Sequence, residues 1–194
     1  MVRWHVGHPR RSFGNVVGHA KGVENLTSLS AWSAEQLDPS LSWDDVAWVK
    51  EQWGGKLILK GIMDAEDAVI AANMGIDAII VSNHGGRQLD GAPATVEVLP
   101  EIVAAVNGAC EVWLDGGIRS GQDVFKAMAL GADAMLIGRA FLNGLGAGGK
   151  AGVTQCLQII EKELDLTMAF CGKTNLGEVC DDVLYTGGRT RDKT

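Results

Sequence analysis

The sequence predicts a parallel α/β fold, and three observations carry that expectation. Short apolar runs rich in β-branched residues, such as Asp77-Ala-Ile-Ile-Val81, alternate with longer stretches of helical period. The helical stretches open on capping residues (Asp64, Ser120) and close on glycine (Gly75, Gly131). The third is an internal repeat. Shifted by 56 residues, Asp64–Asn83 lies over Ser120–Arg139, matching Asp67 with Asp123, Ala71 with Ala127, Gly75 with Gly131, and Asp77-Ala78 with Asp133-Ala134. That spacing holds two βα units, so each copy corresponds to a quarter of a (β/α)8 barrel. A doubly wound sheet predicts such a repeat less naturally, because its halves meet at a reversal of strand order.

The elements follow in order. Residues 1–42 read as an irregular connection, frequent in Gly, Pro, Asn and Ser. Ser42 caps a helix over Trp43–Gln52, with Asp44 and Asp45 in its first turn and Gly54-Gly55 as its stop. Lys56–Gly61 is a strand, Asp64–Met74 a helix, and Asp77–Ser82 a strand. A helix runs from about Thr95 to Val106, followed by a strand over Glu111–Asp115. Ser120–Leu130 is a helix and Ala134–Gly138 the fourth strand. Helices are expected at Ala140–Leu145 and near Val153–Leu164, and Asp181–Thr194 reads as a polar tail. Residues 43–180 therefore supply four strands where a barrel needs eight, a half barrel with two unpaired edges.

Composition narrows the function classes. The 194 residues carry a net charge of −7, which argues against general nucleic-acid binding and against a polybasic membrane patch. No apolar run spans a bilayer, and Met1-Val-Arg-Trp-His5 lacks a secretory apolar core. Cys110, Cys156, Cys171 and Cys180 are scattered without a CxxC pair and read as reduced thiols of a cytoplasmic protein. His5 and His8 have no further ligands clustered near them, so no metal is expected.

Chemistry concentrates at the carboxyl ends of the strands, where parallel α/β folds bind ligands. After the second strand comes Ser82-Asn-His-Gly-Gly-Arg-Gln-Leu-Asp90, a titratable base (His84) close to a permanent cation (Arg87). A base beside a carboxylate-binding Arg suits proton transfer on an organic acid. Asp115-Gly116-Gly117-Ile-Arg119-Ser-Gly121 closes the third strand and Gly138-Arg139 the fourth. Glycines, helix N-termini and two arginines at consecutive strand ends make an anion site, the usual phosphate end of a barrel. Asp115 suits ribityl or ribose hydroxyls. Lys60 ends the first strand, and Ser82 offers a hydroxyl beside His84. The run Gly144–Ala151 nearly matches a P-loop, but it follows a helical segment and has Ala151 where Mg²⁺ would need Ser or Thr. It reads as a glycine-rich connection between helices.

Through Leu59-Lys60-Gly61, Val81–Asp90, Asp115–Gly121 and Ile137-Gly138-Arg139, the chain resembles the FMN-dependent α-hydroxy acid dehydrogenases and oxidases. These include flavin-type L-lactate dehydrogenase, glycolate oxidase, lactate oxidase and mandelate dehydrogenase, and the likeness is greatest to the bacterial lactate dehydrogenases. It covers nearly the whole chain and is looser over residues 1–40. The resemblance implies FMN as cofactor and a small L-2-hydroxy acid, L-lactate above all, as substrate. It implies His84 as the active-site base and Arg87 as the substrate-carboxylate clamp. Lys60 and Ser82 would lie at the flavin ring, and Asp115, Gly116, Gly117, Arg119, Gly138 and Arg139 would hold the ribityl and phosphate groups.

Members of that family are about twice as long, as eight strands require. The resemblance places this chain at strands five to eight. The first four strands would carry further flavin contacts, the substrate tyrosines, a second substrate Arg and the Asp that orients the catalytic His. The implied partners are then an N-terminal half barrel or a second copy of the chain. The electron acceptor stays open between oxygen, quinone and cytochrome, and peripheral contact with the inner membrane stays open with it. Two alternatives remain: a non-catalytic half barrel that binds FMN or phosphate, and an IMP-dehydrogenase-like phosphate barrel. The last is disfavoured because no Cys sits on a loop following a strand.

Overall fold

Four strands pair side by side in chain order, all parallel: β1 (Ile58–Ile62), β2 (Ala78–Val81), β3 (Glu111–Asp115) and β4 (Ala134–Leu136). A computed structural model describes residues 16, 19–23, 26–36 and 38–185. Two compact units are present, residues 1–52 and 53–194. The α-helical stretches among the described residues are α1 (Leu26–Glu35), α2 (Trp43–Trp53), α3 (Ala65–Asn73), α4 (Thr95–Val106), α5 (Gly121–Ala129) and the kinked α6 (Arg139–Phe170). A parallel sheet whose strands alternate with helices is the arrangement of part of a (β/α)8 barrel.

The internal repeat is visible in the hydrogen bonds. Asp77 donates its N–H to the Leu57 carbonyl at 3.1 Å, and its carboxylate accepts from Leu57 N–H at 2.8 Å. Asp133 makes the same pair with Val112, each bond 2.8 Å long. An aspartate before β2 and another before β4 thus clamp the start of the preceding strand. The β1–β2 register shifts between Lys60 and Ile62, at Gly61, whose φ of +106° admits a bulge there.

The core lies between the sheet and its helices. All four residues of β2 are buried. Leu99, Ile102 and Val106 of α4 and Ala68 and Ala71 of α3 are buried at helical spacing. Asp64 caps α3 by accepting from Glu66 N–H at 2.8 Å, and Ser120 with Asp123 forms a capping box on α5. A second cluster gathers Phe125, Ala129 and Val179 with Leu164, Met168, Val183 and Leu184.

Several expectations need correction. The supposedly irregular residues 1–42 contain α1. Its sequence, Leu-Thr-Ser-Leu-Ser-Ala-Trp-Ser-Ala-Glu, carries three serines that weaken the helical signal. Residues 181–184 are not a free tail, since Val183 and Leu184 pack on the second cluster. Residues 186–194, like His5 and His8, lie outside the described residues. β4 stops at Leu136 because Gly138 (φ −99°, ψ −95°) leaves the extended region to open α6. Two helices follow it, as expected, separated by non-helical backbone at Gly148 and Gly149, and the second runs on to Phe170. There the arms fold back so closely that a Cβ on Gly144 would sit 2.7 Å from the Gly152 carbonyl oxygen. The P-loop-like glycines therefore serve a helix–helix contact.

Gly121 is also tightly packed. Its N–H donates to Glu163 Oε2 at 2.9 Å, and a Cβ there would collide with the backbone of Glu163 and Leu164 and lie 2.5 Å from the Ile160 carbonyl oxygen. Gly121→Ala is expected to destabilise the fold by about 2–3 kcal/mol through overpacking, measured as a lower urea midpoint. All four cysteines are free thiols. Burial, reinforced by the Asp133 carboxylate, pushes the Cys110 thiol above its ordinary range. Alkylation at pH 8 should therefore label exposed Cys171 before Cys110, as peptide mass mapping would show.

Candidate active site

A polar bridge joins Lys60 of β1 to the ends of β2 and β3, and Lys60 stands two residues before the last residue of β1 rather than ending the strand as expected. Lys60 Nζ donates to Ser82 Oγ at 2.6 Å and forms an ion pair with Asp115 Oδ2. Lys60 and Asp115 stand two strands apart, about 10 Å at ordinary strand spacing. Only a long side chain laid across the end of β2 closes that gap. Ser82, 3% exposed, sits beneath it and also accepts the His84 backbone N–H at 3.1 Å.

His84 begins a left-handed turn. Its φ is +54°, followed by Gly85 at +68° and Gly86 at +71°. Three consecutive positive φ values explain the two glycines, which carry no Cβ to clash. His84 has no such exemption, so it holds a strained backbone at the point where the chain presents a base. The turn closes with Arg87 N–H donating to the His84 carbonyl at 3.4 Å, which places Arg87 directly after it. Both side chains are exposed, and neither makes a side-chain hydrogen bond among the described residues.

The anion end meets this loop. A Cβ on Gly85 would lie 3.7 Å from Arg139 Nη2, so the guanidinium from the start of α6 reaches the turn after β2. Arg87, Arg119 and Arg139 have no ion pair among the described residues. The glycines divide by role. A Cβ at Gly116 would sit 2.9 Å from Thr95 Oγ1, so that glycine makes room for packing. Gly117 and Gly138 face open space and leave their backbone accessible to a ligand. Arg119 follows the turn after β3. Its N–H donates to Asp123 Oδ2 at 3.0 Å, and its side chain is exposed.

Two residues not singled out from the sequence support the site. Thr95, 3% exposed, donates from Oγ1 to the Asp115 carbonyl at 2.6 Å, tying the start of α4 to the end of β3. Asn83 holds the loop after β2. Asn83 lies within the Ser82–Asp90 motif, but its role needs the position of Pro93.

Together the rim offers a bridged Lys–Asp–Ser set, arginines free of ion pairs, and glycine backbone open to approach. Those donors fit a ligand that combines a hydrogen-bonding ring, hydroxyls and a phosphate. Among the described residues no three or more His, Cys, Asp or Glu side chains cluster as metal ligands.

His84→Gly should relieve the left-handed strain and raise stability by about 1 kcal/mol while removing the base, read from paired denaturation and activity measurements.

A family profile for FMN-dependent dehydrogenases matches residues 3–186. The L-lactate dehydrogenase of Chromohalobacter salexigens is 44% identical over 186 residues, covering 95% of this chain and 47% of that protein. That of Xanthomonas euvesicatoria pv. vesicatoria is 43% identical over 193 residues, covering 98% and 50%. Among solved structures, a monotopic membrane (S)-mandelate dehydrogenase superposes with a TM-score of 0.85 at 38% identity, over 95% of this chain and 49% of that one. A mandelate oxidase superposes with a TM-score of 0.74 at 46% identity, over 79% and 44%. The chain spans about half the length of the curated relatives it matches. Matched over nearly all of its residues, the chain belongs to the FMN-dependent dehydrogenase family.

Proposed function

We propose that the chain is the C-terminal half of an FMN-dependent oxidoreductase. It would carry strands five to eight of a (β/α)8 barrel and oxidise a small L-2-hydroxy acid, L-lactate in the first instance, to the 2-oxo acid. The observation that carries this reading is the single left-handed turn that presents His84 and Arg87 beside Arg139 and the Lys60–Ser82 bridge.

FMN, when bound, would accept the two electrons released at the substrate α-carbon. This chain's residues do the rest. Arg87 pairs with the substrate carboxylate and fixes its orientation. His84 takes the proton on an imidazole nitrogen. Lys60 and Ser82 address the flavin ring. Asp115 serves the ribityl hydroxyls, and Arg119, Arg139 and the open backbones of Gly117 and Gly138 serve the phosphate, with Gly116 shaping that turn.

His84 needs an acceptor for its second N–H if the imidazolium is to be stabilised, and none lies among the described residues. That observation favours completion by an N-terminal half barrel, which would also cover the sheet edges at β1 and β4. A second copy of the chain would cover the edges too, but would repeat the phosphate end. The same observation favours, as a second reading, a half barrel that binds FMN without turnover when alone. A cytoplasmic location with peripheral membrane contact is part of the proposal. No helix among the described residues is long and apolar enough to cross a membrane.

The test is the visible absorbance of the purified chain, alone and co-expressed with a strands one-to-four half, before and after anaerobic L-lactate. Flavin bound and bleached by lactate in the completed protein is the expected result. Flavin bound by the chain alone and left unbleached supports the second reading. Flavin that no 2-hydroxy acid bleaches in the completed protein overturns the first. In the completed protein, His84→Gln should keep the flavin and lower kcat by roughly 10²–10⁴-fold. Arg87→Lys should raise KM by about 10–100-fold, because a point charge replaces a bidentate clamp.

A further inference from the structure

We propose that Asn83 is the positioning residue of this site, acting through the turn that presents His84 and Arg87; the inference rests on the catalytic reading of those two residues. The carboxamide of Asn83 spans the loop. Its Oδ1 accepts the Gly85 N–H at 3.0 Å, and its Nδ2 donates to the Pro93 carbonyl at 3.1 Å. The first bond holds the start of the left-handed turn directly after the strained His84. The second ties that turn to the far end of the loop, one residue short of the N-cap of α4. The backbone assists, with Gly86 N–H donating to the Asn83 carbonyl at 3.0 Å.

Asn83 is held in turn. A Cβ on Gly116 would lie 3.8 Å from Asn83 Oδ1 and 2.9 Å from Thr95 Oγ1. Asn83 and Thr95 therefore lie over the same glycine at the end of β3. The loop after β2 and the turn after β3 fit against each other through these three residues.

The residue type follows from the two bonds. One side chain must accept from a backbone N–H two residues ahead of it and donate to a backbone C=O ten residues ahead of it. A carboxamide carries both groups in fixed geometry. Aspartate keeps the acceptor and loses the donor, and alanine loses both. This asymmetry separates positioning from general folding.

The experiment uses the 194-residue chain in solution, with Asn83→Ala and Asn83→Asp beside it. Amide hydrogen exchange by NMR is the first readout. Asn83→Ala should speed exchange at Gly85 by about tenfold while Ile79–Val81 keep their protection, and Asn83→Asp should leave Gly85 protected. The second readout is a titration with L-lactate, followed on the Arg87 guanidinium and His84 ring signals. Asn83→Ala should weaken the apparent affinity by about tenfold, and Asn83→Asp by less.

Unchanged exchange at Gly85 in Asn83→Ala overturns the proposal. So does faster exchange throughout β2 and β3 in both variants, which would make Asn83 a general folding residue. If lactate shifts no signal in the parent chain, the exchange data decide by themselves whether Asn83 sets the turn.

Discussion

The site depends on the parallel ladder that runs from β1 to β4. Parallel pairing carries every strand in the same direction, so the residues after each carboxyl end meet on one rim. Lys60 and Asp115 are 55 positions apart in the chain and become ion-paired because their strands flank β2. Side chains alternate faces along a strand, so a slip of one residue would turn both away from the rim. Asp77 and Asp133 guard against such a slip, each holding the start of the preceding strand through two hydrogen bonds. The repeat is thus a register device used twice.

On that frame the chemistry is placed by local strain and by reach. The strained residue in the loop after β2 is His84, and its strain is held by the glycines that follow and by the Asn83 carboxamide. The cationic groups work by reach. Lys60 crosses the end of β2, and Arg139 extends from the start of α6 to the turn at Gly85. A base, a lysine and an anion-binding arginine therefore come from β1 and from the segments that follow β2 and β4. Each belongs to a separate βα unit, as expected where chemistry is grafted onto a repeated scaffold.

Much of this was legible in the residues. Alternating apolar runs, Asp64 and Ser120 as caps, and Gly75 and Gly131 as stops located α3, α5 and the four strands to within two residues at most ends. These signals are local, so they survive without knowledge of the fold. The Ser82–Asp90 motif pointed to His84 and Arg87 for the same reason. Other features were hidden by their nature. The helix α1 is masked by serine-rich composition, and Val183 and Leu184 look like tail residues until Phe125 and Ala129 are brought against them. The glycines near position 148 resemble a phosphate loop in sequence and prove to be a helix crossing in space.

By itself the sequence determined the α/β alternation, the parallel repeat and the residues of the rim, because caps, periodicity and turn glycines act over a few neighbouring positions. Tertiary structure decided which of those residues touch. It paired Lys60 with Asp115, set Arg139 beside Gly85, and gave Thr95 and Asn83 their roles against Gly116. Those contacts join positions far apart in the chain, and only the packing of strands at fixed spacing and register brings them within hydrogen-bonding distance.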